Sequence, residues 1–163
     1  MLLMCEWGIL SQPIFNLSSY IEQHRQMYYD RLLAVSQHGD WEAWLDFFLT
    51  GVQVQAQDDT IRLIAMNDLR QQYHREVRSE RMVRLVDLLF ERPIVSIRQV
   101  EAASGVPYLT ALRQVEKLVK AGVIREVTGR SRNRFYQADE ILKVIGAPVA
   151  ELETANDQVV TKI

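Results

Sequence analysis

Cysteine is nearly absent from this 163-residue chain, with Cys5 as its single thiol. No intrachain disulfide can form, and a reducing, cytoplasmic compartment is the expected setting. The histidines number three, His24, His38 and His74, and no two stand in a His-x3-His spacing. Neither a metal centre nor a cofactor is expected from them, and they read as surface or interfacial helix positions. No apolar run approaches the roughly 20 residues that span a bilayer, so no membrane partner is expected. The apolar opening MLLMCEWGIL lacks the basic leader and small-residue cleavage site of a secretory signal. No Gly-x-Gly-x-x-Gly or Gly-Lys-Ser/Thr loop offers a phosphate cradle. Asp58 and Asp59 are adjacent and would diverge on a helix, so they do not form a cooperating acid/base pair.

What is present is an ordinary globular composition, 48% hydrophobic and 25% charged, with a formal net charge of -2. The balance is uneven along the chain. Residues 1–78 hold 6 basic against 10 acidic side chains, residues 79–147 hold 12 against 8, and residues 148–163 hold 1 against 3. An acidic helical part, a basic part and an acidic, disordered tail are therefore expected, with those boundaries.

The seven glycines and four prolines cluster at residues 8–13, at Gly39 and from Pro93 onward, so the first half reads as long helices. Ser18 or Ser19 can cap a helix carrying Ile21, Tyr28, Leu32 and Val35, and Gly39 can end it. Asp40 can cap a second helix, on which Trp41, Trp44, Leu45 and Phe48 share one apolar face. After Gly51 the pattern turns polar, then resumes at Ile61, Ala65, Leu69, Tyr73 and Val77, which predicts a long helix from Val52 to Val77. The aromatics of the second helix read as core.

From Ser79 the pattern changes. A helix over Glu80–Phe90 is stopped by Pro93; Ser96 caps IRQVEAAS, closed by Gly105; Pro107 opens a helix to Lys120, with Gly122 beyond it. Val123–Val127 and Arg134–Gln137 read as two strands around a turn containing Gly129, and Asp139–Ile145 as a last helix. Helix, helix, turn, helix, hairpin is the order of a winged helix-turn-helix, so the fold class expected is mainly α with a small β-hairpin wing. On the third helix Ala111, Leu112, Val115, Leu118 and Val119 should pack inward. Tyr108, Thr110, Arg113, Gln114 and Lys117 are the candidates for double-stranded DNA, with Thr110, Arg113 and Gln114 facing bases. Arg130, Arg132 and Arg134 at the wing should meet phosphate. The alternative is that this basic face is merely solvated and the domain serves dimerisation, since the chain's pI of about 5.9 is far from strongly basic.

The segment PIFNLSSYIEQHRQMYYDRLLAVSQHGDWEAWLDFFLTGV resembles the part that follows the active-site motif in Fic (filamentation induced by cAMP) proteins. GDWEAWLDFFL carries most of the likeness. GVIREVTGRSRNRFY resembles the C-terminal winged helix that many Fic proteins carry. Fic enzymes transfer AMP to protein hydroxyls through an HPFxxGNGRxxR motif, and no histidine here is followed by Pro-Phe or a glycine-rich turn. The resemblance therefore implies a Fic protein without its catalytic half, whether as a natural reading frame or a fragment, and no catalytic residue is carried over.

Without that half the apolar face of the first helices would be uncovered, so a homodimer is expected, with Trp7, Trp41, Trp44 and Phe48 at the interface. The expected function is non-catalytic and regulatory, through DNA binding. The alternative is a protein-interaction or dimerisation module that positions a Fic catalytic domain without binding DNA.

Overall fold

The computed structural model describes residues 6–8, 17–77, 79–130 and 132–152. The expectations for MLLMCEWGIL, Trp7 apart, and for the tail from residue 153 onward lie outside the described residues. Contacts divide the chain into two compact units, residues 1–61 and 62–163.

The first unit holds α1 (Ser18–Gln23), α2 (Arg25–His38) and the first part of α3 (Trp41–Glu76). The single helix expected ahead of Gly39 is broken at His24 (φ −113°, ψ 33°), whose ring stacks on Tyr20 at 4.2 Å and whose Nδ1 lies 3.0 Å from the Tyr20 carbonyl. Neither serine caps α1: Leu17 occupies the N-cap, and Ser18 and Ser19 lie inside the first turn. Gly39 ends α2 in the left-handed conformation, and Asp40 accepts the Ala43 N–H at 3.2 Å, as the sequence predicts.

Gly51 does not interrupt α3, which runs unbroken through it for 36 residues. Its role is close packing. A Cβ built there would stand 2.5 Å from the Tyr20 ring, so glycine is what lets α1 lie against the helix. Phe47, Gly51 and Gln55, four residues apart, form the buried edge of α3, and Phe47 contacts Tyr20 at 5.5 Å between ring centroids. We expect Gly51→Ala to lower the stability of this unit by about 1–3 kcal/mol, because overpacking outweighs the better helix propensity of alanine. Thermal denaturation followed by circular dichroism measures it, and a stabilised variant would refute the packing role.

The second unit takes in the rest of α3, then α4 (Glu80–Glu91), β1 (Ile94–Ser96), α5 (Ile97–Ser104), α6 (Tyr108–Lys120), β2 (Arg125–Glu126), β3 (Phe135–Gln137) and α7 (Asp139–Gly146). The sequence reading grouped the end of α3 with the N-terminal part. In the structure Tyr73 and Val77 belong to the hydrophobic core of the second unit, with Met66 and Leu69 packed against it. Arg62 of α3 donates to the carbonyls of Val144, Ile145 (2.8 Å) and Ala147 (3.2 Å), satisfying acceptors at the end of α7.

Val86 and Leu89 of α4, Val100 of α5, Val115 and Leu118 of α6 and Ile141 of α7 are fully enclosed in that core. The sheet is antiparallel in the order β1-β3-β2, with Val95 opposite Tyr136 and Glu126 also opposite Tyr136. The β2 and β3 pairing is the expected wing, shorter than the sequence suggests, whereas β1 is a strand that the sequence reading missed. The helix start at Ser96 is a full capping box with Gln99, and Gly105 closes α5 in the left-handed region. Residues 149–152 are helical and Leu152 is buried, so the disorder expected from Pro148 onward does not extend to these positions. The fold is mainly helical with a small three-stranded sheet, in agreement with the expected class. Among the described residues no helix is long and apolar enough to cross a membrane.

Candidate nucleic-acid interface

Helical periodicity decides which side chains α6 can offer. Ala111, Gln114, Val115 and Leu118 form its buried face, and Leu112 packs partly against the core. Arg113, Glu116, Lys117 and Lys120 are exposed, as are Tyr108 and Leu109, and Thr110 is half-buried. Two expectations change. Val119 lies largely outside the core, and Gln114, assigned to base edges, is buried at 9% exposure. One turn beyond Thr110 and three residues after Ala111, Gln114 falls on the edge of the inward arc, so the packing of α6 on α4 and α5 encloses it.

The Oε1 of Gln114 is enclosed without a hydrogen-bond partner among the described residues. An unsatisfied buried acceptor costs on the order of 1–3 kcal/mol. Gln114→Met keeps the length of the side chain and removes that polar atom. It is expected to raise stability by about 1 kcal/mol and to leave nucleic-acid affinity unchanged. Denaturant titration with a parallel binding isotherm checks both, and a loss of affinity would return Gln114 to the interface.

The wing is organised by one carboxylate. Glu126 accepts the Thr128 N–H at 2.8 Å, the Thr128 hydroxyl, and the Gly129 N–H at 3.0 Å. The Thr128 hydroxyl oxygen in turn accepts the Phe135 N–H at 3.3 Å. The bond from the Thr128 hydroxyl, chiefly, holds the Glu126 carboxyl below the usual range, and the charge of Arg134 adds to it. Gly129 (φ +61°) and Asn133 (φ +53°) make the reversals that carry the tip. Arg125 is directed elsewhere, to a two-point pair with Asp139 at 2.7 and 3.1 Å.

Beside the wing opens a cleft of about 580 Å³. Arg130, Arg132 and Arg134 line it from the wing, Arg98 from the first turn of α5, Tyr108 from the start of α6, and Phe135 from β3. Among the described residues, none of these four arginines makes an ion pair with a carboxylate. Guanidinium groups gathered around a concavity without ion-paired carboxylates create a positive local field, suited to phosphate. The structure thus brings together the three wing arginines and Tyr108. Thr110, Arg113 and Lys117 belong to the neighbouring surface of α6, and Gln114 to neither.

Arg98 escaped the sequence reading. A cation in the first turn of a helix opposes the helix dipole, and that local cost is the signal that could have marked it.

The four aromatic residues expected at an interface in the N-terminal unit divide differently. Trp7 and Trp41 are exposed, at 69% and 61%. Trp44 and Phe48 are half-buried, with Trp44 5.6 Å from Tyr28 and 6.5 Å from Phe48 between ring centroids. The exposed stripe of α3 is Trp41, Leu45 and Leu49, because Phe47 and Gly51 take the inward side.

Residues 82–137 match the family described as an HTH DNA binding domain. The match runs from α4 through β3, the span that contains most of the core of the second unit, the exposed face of α6 and the arginine cleft.

Proposed function

We propose that the chain is a non-catalytic, cytoplasmic DNA-binding regulator, in which α6 enters the major groove and the wing cleft grips phosphate. One observation carries this reading. Four arginines from two segments some thirty residues apart meet in one cleft, beside a helix face bearing Arg113 and Lys117, and among the described residues none of the four is ion-paired to a carboxylate. In that arrangement Arg113 and Thr110 contact base edges, Lys117 and the four cleft arginines contact phosphate, and Leu109 offers an apolar contact for a thymine methyl. The family match of residues 82–137 supports the same reading.

The N-terminal unit is read as the closing part of a Fic-type helical domain, on the strength of GDWEAWLDFFL. The chain transfers no AMP by itself in this reading, and purified protein incubated with labelled ATP and candidate acceptors tests that directly. Fluorescence anisotropy against mixed-sequence duplex at low and higher salt tests the DNA contact. Binding that weakens as salt rises is the expected result, and absence of binding at low salt would refute the proposal.

A second reading is favoured by the exposed Trp41, Leu45 and Leu49. Here the N-terminal unit pairs with a second copy of the chain, or with a Fic catalytic domain that it positions. Light scattering across a concentration series distinguishes these: a stable dimer supports self-association, and a monomer whose DNA binding is intact removes it.

A further inference from the structure

The wing cleft is walled by rings as well as by guanidinium groups. Tyr108 is 44% exposed and Phe135 40%, and both line the same concavity as Arg98, Arg130, Arg132 and Arg134. Two local features hold the rings there. Tyr108 is the first residue of α6, immediately after the N-cap Pro107, so it has no preceding helical turn to cover it. Phe135 pairs with Ser96 in the sheet, which sets it beside the cap of α5, while the alternation of the strand sends Tyr136 into the core instead.

Phosphate alone gives no reason for exposed rings at this place. The face of an aromatic ring carries partial negative charge and gains nothing from an anion. A continuous duplex presents phosphates, sugars and base edges, but its base faces are already stacked on one another. A ligand that uses both features of the cleft must carry an anionic group and an accessible flat ring. An unpaired nucleotide has both. Proteins that hold single strands combine these elements, a positive groove for the backbone and aromatic side chains for the bases. The size agrees: about 580 Å³ lies within the ~300–1,000 Å³ of sites that enclose small-molecule-sized groups.

We propose that the cleft between the wing and α5 takes one unpaired nucleotide, its phosphate among the four arginines and its base against Tyr108 and Phe135. The domain therefore prefers a duplex that ends in, or is interrupted by, a single-stranded stretch over a continuous duplex. This rests on the DNA-binding reading for the phosphate contacts and adds the base-stacking site to it. Phosphate contacts weaken with salt, whereas stacking does not depend on counterion release, so the preference persists as salt is raised.

The test compares the full chain on a fluorescent blunt duplex and on the same duplex with a short single-stranded overhang. We expect the overhang to bind roughly tenfold more tightly. Phe135→Leu should erase most of that advantage while leaving blunt-duplex affinity within about twofold, Tyr108→Leu should lower overhang affinity well beyond any loss on the blunt duplex, and Tyr108→Phe should retain the advantage. Tyr108 is exposed at a helix start, so its variants are expected to melt like the parent, and they carry the test if Phe135→Leu loosens the wing.

Thymidine monophosphate supplies the second arm. If it lowers overhang affinity more than blunt-duplex affinity and so removes the advantage, a free nucleotide fills the cleft. If the advantage survives it, the strand end is the occupant. Equal affinity for blunt and overhanging duplex would overturn the inference and leave duplex binding standing. Failure to bind either would overturn both.

Discussion

Replacing Arg98, Arg130, Arg132 and Arg134 together by alanine is expected to weaken duplex binding by roughly a hundredfold to a thousandfold at moderate salt. The slope of log affinity against log salt should fall by about 3–4, close to one for each phosphate contact removed. The effect is large because the four side chains share one concavity and, among the described residues, none is ion-paired to a carboxylate, so most of their field reaches a ligand. Arg125→Ala is the matched control. Its guanidinium is held by Asp139, and the two groups reinforce each other's charged forms, raising the Arg125 pKa and lowering that of Asp139. Removing Arg125 should therefore leave the salt slope unchanged. A quadruple variant that binds as the parent does, or an Arg125 variant that loses as much, would remove the cleft from the interface. Arg98→Ala alone is informative too, because it reports whether the start of α5 shares the phosphate contact with the wing.

The second large effect is on stability. Leu118→Ala should cost about 3–5 kcal/mol, since the side chain is fully enclosed among α4, α5 and α6 and its loss leaves a cavity. For a unit of this size the melting temperature should drop by roughly 15 °C or more. DNA affinity at low temperature, where the variant is still folded, should change little. Val119→Ala, one residue along at a site 38% exposed, should stay within about 0.5 kcal/mol of the parent. Differential scanning calorimetry of the pair decides the matter. Equal shifts would mean that α6 is seated on the core with a different face than the structure has.

That contrast marks where local pattern stops being sufficient. Leu112, Val115, Leu118 and Val119 look equivalent on a helical projection, and the sequence reading placed all four inside. The seating of α6 against α4 and α5 turns the helix so that Gln114 is covered and Val119 is not. The hydrogen-bonding capacity of Gln114 argued for the surface, and close packing of its neighbours overrode it at the cost of an acceptor left unpaired among the described residues. Gly51 was misread for the same kind of reason. A lone glycine in a helical pattern suggests an ending, and only the approach of Tyr20, some thirty residues away, explains why it lies mid-helix.

The amino-acid sequence by itself determined the helix-turn-helix. Its signals are confined to a few neighbouring residues: the Ser96–Gln99 capping box, Gly105 and Gly122 in left-handed positions, Pro107 at the threshold of α6, and Gly129 in the wing. Tertiary structure alone decided the rest. The three residues of β1 are too short to show a period, and they are a strand only because β3 pairs with them. Arg98 joins the wing arginines only because that same pairing brings β3 and the wing back beside the start of α5. The end of α3 belongs with the winged helix because Tyr73 and Val77 fill its core. Caps and turns are paid for locally and can be read locally. A cleft is assembled from chain segments far apart in sequence, and its charge and its rings meet only after the core has closed.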